Sequence, residues 1–471
     1  MSSLEFAVFL KKIPKLVWIA VACALAINIF GLTFIFTHYN QEALIAGDGQ
    51  VYLKLAENLH QGLGFGLFAT EGFVSETFRT PGLPFLFAMF LNLGLGLKSY
   101  LAFISIVSSI VIPVLSWFIG KTLFNDRVGK LTALLLALEP LLWLHNWTFL
   151  TEIPFLILGL FGVVLLIVAY TKKSALSFAA LSAGVSFALA AYMRPAAFPL
   201  VLLALLAVSI ERAYVHKRIV WVFPFVALMM FLCLIPWYER THEVSGVYSL
   251  SGTGWRNVYT DYLASIRAVN NHTQFTDEKE ALKQYAMKTW GITRTEINSP
   301  AQSEIFKEYA LPEIMANKKT VVKLQSILFV SYFTHSDSQR RLQKLGFLPM
   351  NSIEKARVSS SRLLIDKGFN AVSDIYQEMK NRYFFPVIER TWTVSVFLLA
   401  VVGFFVSRSR ARFLVFLLLL TGYLTSSAIG LGVEGRLRLP VLPFYFMLAS
   451  CGILFLYDLC RLRISTFLWK K

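Results

Sequence analysis

The stretch that decides the fold runs from Gly47-Asp48-Gly49-Gln50-Val51-Tyr52 to Phe78-Arg79-Thr80-Pro81-Gly82-Leu83-Pro84. Apolar residues recur at helical spacing between Val51 and Leu59, which predicts a short amphipathic helix. Glycines break the chain after this helix, and Arg79 then stands ahead of a proline–glycine corner. The stretch follows a long apolar run but is too polar and too broken to cross a membrane itself. It therefore holds a carboxylate side chain, Asp48, and a cationic side chain, Arg79, beside a membrane. We expect the chemistry of the protein to take place there.

Composition places the chain among membrane proteins. Of its 471 residues, 56% are apolar and only 15% are charged, and the mean hydropathy is +0.59. A soluble protein of this length needs more polar surface, and several apolar runs reach the roughly 20 residues that cross a bilayer. The run 16–36 is too long for a simple signal peptide, so we interpret it as a membrane helix. The composition predicts an all-α polytopic membrane protein.

The net charge of +17 reflects topology rather than nucleic-acid binding. The basic residues cluster in short segments between apolar runs: Lys11, Lys12 and Lys15; Lys121, Arg127 and Lys130; Lys172 and Lys173; Arg212, Lys217 and Arg218; Arg408, Arg410 and Arg412; Arg461, Arg463, Lys470 and Lys471. All of these clusters fall on one side if the runs alternate, as the positive-inside rule requires. The four cysteines lie in or beside membrane runs, so no disulfide framework is implied.

The apolar runs predict about ten transmembrane helices with both termini inside. They lie near 16–37, 99–120, 130–145, 152–170, 175–192, 196–211, 218–236, 391–407, 412–430 and 439–458. Residues 81–97 are apolar but interrupted, and we interpret them as a helix in the interface. The prediction divides the chain into an N-terminal membrane module (1–236) with its first outside loop (38–98), a mostly helical extracytoplasmic domain (237–390) and C-terminal membrane helices (391–471).

Ionisable residues stand close to the ends of spans in nearly every outside loop. Charge at the edge of the hydrocarbon is expensive and marks functional or paired sites. Each residue also has a plainer interpretation: Asp48 or Glu152 as a helix cap or first-turn acid, and a single arginine as an interfacial side chain. His145 and Glu152 lack a zinc-binding spacing. The residues alone leave these alternatives open.

Six short motifs in order resemble one family. They are Asp48-x-x-x-Tyr52-x-x-x-Ala56, Arg79-x-Pro81-Gly82-x-Pro84, Leu150-Thr151-Glu152-Ile153-Pro154, Arg194-Pro195, Pro236-Trp237-x-x-Arg240, and Glu434-Gly435-Arg436-Leu437-Arg438-Leu439-Pro440. They resemble motifs of the polyprenyl-phosphate-sugar-dependent glycosyltransferases of the GT-C superfamily, relatives of the protein O-mannosyltransferases and the bacterial aminoarabinose transferase. The motifs cover most of the chain except residues 241–389. Many relatives carry two adjacent acids in the first loop, whereas Gly49 follows Asp48 here.

The resemblance implies an inverting glycosyltransferase of the cell envelope. Its donor is a sugar on a polyprenyl monophosphate, and its acceptor is a lipid, a glycan or a protein. The resemblance implies that Asp48 is the catalytic base with Glu152 as an orienting residue or alternative base. It implies donor-phosphate contacts from Arg79, Arg194, Arg436 and Arg438, and substrate contacts from Tyr52, Glu434 and Arg240. No cofactor is indicated, although the carboxylates leave room for a divalent cation.

Two other functions, and a catalytically inactive scaffold of the same fold, remain open at this point. A lipid-linked glycan transporter or flippase fits a polytopic chain, although inverted repeats are typical of such proteins and none is evident. A glycan polymerase or ligase with a diphosphate-linked donor also fits the large outside loop. The sequence predicts a plasma (inner) membrane location with the site on the extracytoplasmic face.

Overall fold

The computed structural model describes residues 12–38, 44–45, 47–69, 72–171, 176–217, 220–335, 342–343, 345, 384–432 and 435–468. Helices make up most of it. They are α1 (Lys15–His38), α2 (Asp48–His60), α3 (Gly82–Asn92), α4 (Leu97–Leu123), α5 (Asp126–Ala137), α6 (Pro140–Asn146), α7 (Glu152–Thr171), α8 (Phe178–Met193), α9 (Ala197–His216), α10 (Val222–Ser245), α11 (Thr253–Asn257), α12 (Ala264–Asn270), α13 (Phe275–Trp290), α14 (Ser303–Ala316), α15 (Lys318–Thr334), α16 (Phe384–Val406), α17 (Ala411–Ser427) and α18 (Leu442–Leu468).

The expected all-α membrane architecture is confirmed, and the count of ten spans is approximate. Within the described residues, seven helices are long and apolar enough to cross a membrane, or up to eight if α5 and α6 form one span. These two helices meet at an angle of 54°. The remaining predicted spans coincide with the shorter apolar helices α8 and α17. The interfacial run 81–97 contains α3, whose place relative to a membrane stays a prediction.

The first loop folds as predicted around α2. A two-stranded antiparallel hairpin follows, in which β1 (Gly66–Ala69) pairs Gly66 with Ser75 and Ala69 with Gly72 of β2 (Gly72–Ser75). Arg79 and the Pro81–Gly82 corner then lead into α3. The loop thus carries Asp48 at the start of one helix and Arg79 just before the next.

Two glycines in this loop let backbones approach closely. A Cβ on Gly49 would lie 2.7 Å from the carbonyl oxygen of Phe149, just ahead of α7. A Cβ on Gly82 would lie 2.7 Å from the carbonyl group of Tyr192, near the end of α8. Glycine is the residue that allows such contacts. They bring Asp48 and Arg79 against the segments that carry Glu152 and Arg194.

Side chains between residues 255 and 314 form a small core of their own. The rings of Tyr259 and Phe306 stack with centroids 4.7 Å apart, and both are fully buried. A π-helical turn (Val258–Leu263) lies between α11 and α12. The backbone N–H of Gly252 donates to the carbonyl of Thr77 over 3.0 Å, so this region is tied to the first loop. The predicted limits of the three domains stay predictions.

We expect Gly49→Ala to destabilise the protein by about 1–3 kcal/mol, because the added methyl group meets a fixed backbone carbonyl. Gly159→Ala is the matched control: it too lies in a helix, and its Cβ would meet nothing within 4 Å. The control should be neutral or slightly stabilising. Thermal unfolding of the purified proteins measures both, and equal behaviour of the two variants would contradict the close approach.

Candidate active site

Charged side chains from five parts of the chain meet at one cavity. It encloses about 640 Å³, a size typical of small-molecule sites. Its walls come from the first loop, the start of α7, the turn between α8 and α9, residues 249–279, and the segment after α17. The charged residues that line it are Asp48, Arg79, Glu152, Arg194, Arg256, Asp261, Lys279 and Arg436.

Asp48 is held between two arginines. Arg79 Nη2 donates to Asp48 Oδ1 over 2.8 Å, and Arg436 Nη1 donates to Oδ2 over 3.3 Å. The Asp48 side chain is 32% exposed and so remains open to the cavity. Its position in the first turn of α2 also suits a carboxylate, since helix N-termini favour negative charge. The N-cap residue of α2 is Gly47, so Asp48 is a first-turn acid and a cavity residue but not the helix cap.

Glu152 forms a second, more deeply buried pair. Arg194 Nη1 lies 2.6 Å from Glu152 Oε1, and the Glu152 side chain is only 1% exposed. Arg436 Nη1 also lies 3.8 Å from the same oxygen. Arg436 therefore stands between the carboxylates of Asp48 and Glu152 and links the two pairs into one network.

The network keeps Asp48 ionised. Burial opposes ionisation of this carboxyl, but the charges of Arg79 and Arg436 outweigh burial and hold its pKa below the ordinary 3.8. The pKa of Arg79 is raised: burial alone lowers it, but Tyr52 and Asp48 outweigh burial. Both groups are charged at neutral pH.

The structure brings six of the nine predicted site residues together. Asp48, Tyr52, Arg79, Glu152, Arg194 and Arg436 all line the cavity. The ring of Tyr52 lies 5.6 Å from the guanidinium carbon of Arg79. Glu434 lies outside the described residues.

Arg438 and Arg240 are placed elsewhere. Arg438 is 1% exposed, and its Nη1 donates to the carbonyls of Tyr332 and Phe333 at the end of α15. Arg240 donates to the carbonyls of Glu76 and Phe65 over 2.8 and 2.9 Å. Neither side chain lines the cavity. Both brace the backbone around it.

Three cavity residues were not anticipated from the sequence: Arg256, Asp261 and Lys279. Arg256 Nη1 donates to Asp261 Oδ2 over 3.0 Å, and Lys279 donates to the other oxygen of the same carboxylate. Arg256 lies in α11 and Asp261 lies five residues later in the π-helical turn, a spacing that does not face one way in an α-helix. Helical periodicity could not reveal this pair.

The described residues contain no group of three or more His, Cys, Asp or Glu side chains arranged to hold a metal ion. Arg436 Nη1 lies 3.3 Å from the carboxylate of Asp48 and 3.8 Å from that of Glu152. Each of these carboxylates also pairs with an arginine of its own, Arg79 or Arg194.

An apolar groove of about 390 Å³ lies next to the cavity on some of the same elements. Neighbouring residues line the two spaces: Glu152 and Phe155 on α7, Pro199 and Leu200 on α9, and Leu437 and Pro440 after α17. Along α7 the groove runs from Phe155 to Thr171, a length of about 24 Å at the helical rise. That length approaches the thickness of the hydrocarbon core of a bilayer.

A known family matches the part of the chain that carries Arg79, Glu152 and Arg194. The family described as dolichyl-phosphate-mannose-protein mannosyltransferase matches residues 79–237, about one third of the chain. Asp48 and Arg436 lie outside the matched residues. No curated protein matches the chain in a sequence search.

The fold is similar to that of an archaeal oligosaccharyltransferase. The AglB protein of Archaeoglobus fulgidus, solved with an inhibitory peptide and a dolichol-phosphate, superposes with a TM-score of 0.50 at 13% identity. The match covers 99% of this chain and 52% of that chain, so this chain spans about half of its length. An oligosaccharyltransferase structure of the same organism in the apo form gives a TM-score of 0.49 at 12% identity, covering 96% and 51% of the two chains. The family match over residues 79–237 and the similarity of fold to the AglB structure together support the predicted resemblance to the GT-C superfamily.

Proposed function

We propose that this protein is an integral-membrane glycosyltransferase that moves a sugar from a polyprenyl-monophosphate donor to a hydroxyl or amine acceptor. One observation carries the proposal: a cavity with two arginine-held carboxylates lies next to an apolar groove of nearly membrane length on the same elements. A polyprenyl-linked sugar has the same two parts, a polar head and a long apolar tail. The names of the matched family and of the similar structure both refer to a dolichyl phosphate lipid, which supports this donor class.

The charges of the cavity suit a phosphate. Among the described residues, five cationic and three carboxylate side chains line it, a net charge of +2. A sugar phosphodiester carries one negative charge, whereas the polyprenyl phosphate that departs is a monoester and carries close to two at neutral pH. Fixed cations therefore stabilise the departing group more than the donor, which is the condition for lowering the barrier.

Among the cations of the cavity, Arg194 and Arg436 lie next to the elements that the groove shares, α9 and the segment after α17. Arg194 borders Pro195 at the start of the turn into α9, and Arg436 directly precedes Leu437. A lipid tail in the groove places its phosphate beside these two residues. Arg79, on the other side of Asp48, is the third cation within reach of the same phosphate.

The transfer step is a direct displacement. The acceptor oxygen or nitrogen attacks the anomeric carbon, and the bond between that carbon and the phosphate oxygen breaks with its electron pair passing to the phosphate. The proton of the acceptor goes to Asp48, the carboxylate that is open to the cavity. Attack opposite the leaving phosphate inverts the anomeric centre.

Donor binding prepares the base. In the empty cavity Arg79 and Arg436 keep the pKa of Asp48 low, which makes it a weak base. A bound phosphate competes for the same guanidinium groups, and the loss of these contacts raises the basicity of Asp48. Glu152 remains on Arg194 and orients it towards the donor.

The donor class is tested with the purified chain in phosphatidylcholine nanodiscs. A panel of polyprenyl-monophosphate sugars and the matching diphosphate-linked sugars is incubated with crude membrane acceptors, and loss of sugar is followed by mass spectrometry. We expect one monophosphate donor to be consumed and the product to have the inverted anomeric configuration. Consumption of diphosphate donors alone would favour a polymerase or ligase, and no consumption at all would favour a transporter.

We expect Arg436→Gln to shift the acid limb of kcat/KM for the donor to higher pH. The reason is that Arg436 is one of two cations that hold the pKa of Asp48 below 3.8, and kcat/KM reports groups of the free enzyme. In the wild type, Asp48 is ionised at every pH above its lowered pKa, and kcat/KM falls only as the pH drops through that pKa. Arg127→Gln, at an exposed pair with Asp458, is the control. If the acid limb of Arg436→Gln lies at the same pH as in the wild type, the limb reports a group other than Asp48.

A further inference from the structure

We propose that Arg256, Asp261 and Lys279 form a subsite for an anionic group on the acceptor. The acceptor then carries a phosphate or carboxylate close to the hydroxyl or amine that receives the sugar. This inference rests on the proposed function, because it names the acceptor class for the same cavity.

The subsite lies beside the Asp48 network on the wall formed by residues 249–279. The Phe78 ring contacts both sides: its centroid lies 4.8 Å from the guanidinium carbon of Arg79 and 5.2 Å from that of Arg256. Arg256 and Arg79, the arginine that holds Asp48, are therefore separated by a single aromatic ring. One acceptor molecule can bridge this separation, with its nucleophile at Asp48 and a second group at Arg256.

In the subsite both carboxylate oxygens of Asp261 accept hydrogen bonds, whereas Arg256 and Lys279 keep N–H groups that donate to no protein atom within the described residues. Asp261 Oδ2 accepts from Arg256 Nη1 and from the hydroxyl of Thr260 over 3.0 and 2.7 Å, and its Oδ1 accepts from Lys279. Arg256 Nε has no hydrogen-bond partner within the described part of the chain. Lys279 has three N–H donors, and its contact with Asp261 employs one of them. A ligand that only accepts hydrogen bonds fits this surplus, and phosphate and carboxylate are such groups.

The charge balance agrees. Two cations face one carboxylate, and that carboxylate is 6% exposed and turned to its partners. Arg256 and Lys279 remain 17% and 27% exposed. The subsite thus offers a net positive charge to the cavity. Asp261 lies in the π-helical turn, a form of backbone often found at functional sites.

The donor phosphate is better placed elsewhere. The groove that suits the lipid tail is lined by α7, α9 and the segment after α17, and no described residue of 246–335 borders it. The donor phosphate therefore lies by Arg194 and Arg436. Arg256 and Lys279 are left for the second substrate.

Three probe acceptors with one skeleton test the inference: glycerol, glycerol 3-phosphate and glycerate. The full chain in phosphatidylcholine nanodiscs is supplied with the donor that it consumes, and kcat/KM is measured for each probe. We expect both anionic probes to be preferred over glycerol, and Lys279→Gln to lower this preference about tenfold, the effect of losing one charged hydrogen bond. Lys279→Arg should restore it.

Equilibrium dialysis of labelled glycerol 3-phosphate without donor gives a reading that does not depend on turnover. The dissociation constant should rise about tenfold in Lys279→Gln. It should not change in Lys323→Gln, an exposed lysine outside the cavity. Equal use of the three probes by an enzyme that consumes donor would overturn the anionic subsite and leave the glycosyltransferase intact. Lys279-dependent binding in a chain that consumes no donor would support the subsite and remove the proposed transfer.

Discussion

Asp48→Asn should lower the rate of sugar transfer by about 10²–10⁴-fold, the range for removal of a general base. Asparagine keeps the shape of the side chain and its oxygen still accepts from Arg79, but its amide cannot take the proton of the acceptor. The change also frees Arg79 and Arg436 from a competing anion. We therefore expect the KM for the donor to stay the same or fall while kcat collapses. Loss of sugar from the donor, followed by mass spectrometry in nanodiscs, measures both constants.

Two variants accompany this measurement. Asp458→Asn removes a carboxylate from an exposed pair with Arg127 and should leave transfer unchanged. Glu152→Gln should lower transfer less than Asp48→Asn does, since Glu152 is 1% exposed and held by Arg194. A larger loss in Glu152→Gln than in Asp48→Asn would exchange the two roles. Retained transfer in Asp48→Asn would end its assignment as the base.

The sequence was sufficient for the helices and for most of the charged residues at the cavity. Apolar runs of membrane length define the helices because each span must satisfy its own backbone hydrogen bonds in lipid. Charged residues at the ends of those runs then meet at one end of the bundle. This logic indicates Asp48, Arg79, Glu152 and Arg194 as candidates, and the family resemblance favours a site over a helix cap or an interfacial side chain.

Neighbouring arginines show where the logic stops. Arg436 and Arg438 look equivalent in the sequence, but they lie in a 3-10 segment, Gly435–Val441. With three residues per turn, positions two apart point in different directions. Arg436 consequently lines the cavity, and Arg438 turns into the protein. The local backbone conformation, which the motif does not reveal, therefore decides which of the two arginines faces the cavity.

The cavity wall formed by residues 249–279 could not be predicted from the sequence either, because its charged residues are far apart along the chain. Lys279 and Asp261 are 18 residues apart on different helices, and only the packing of α13 against the π-helical turn brings them together. Tertiary contacts of this kind leave no periodic pattern in the sequence. The acceptor side of the cavity is therefore the part that the structure adds.

Arg438→Ala should destabilise the protein by about 3–5 kcal/mol, the cost of leaving a buried charge without its partner. Arg438 Nη2 lies 4.0 Å from Glu139 Oε1, and the side chains of Arg438 and Glu139 are 2% and 3% exposed. The substitution also removes the donor to the carbonyls of Tyr332 and Phe333. Thermal unfolding in detergent should show a large fall in the midpoint, with reduced yield of folded protein.

A double variant separates the charge from the packing. In Arg438→Met with Glu139→Gln, both charges are gone, the volume is nearly kept, and the glutamine oxygen still accepts from Trp392, as Glu139 Oε2 does over 2.7 Å. Neutral replacements of buried pairs are often tolerated, so the double variant should regain much of the stability that Arg438→Ala loses. Arg127→Ala, at an exposed pair, should change stability by less than about 1 kcal/mol. If Arg438→Ala changes stability as little as Arg127→Ala does, Arg438 does not brace α15. Binding of the donor phosphate, the role that the resemblance implies, would then explain its place in the motif better.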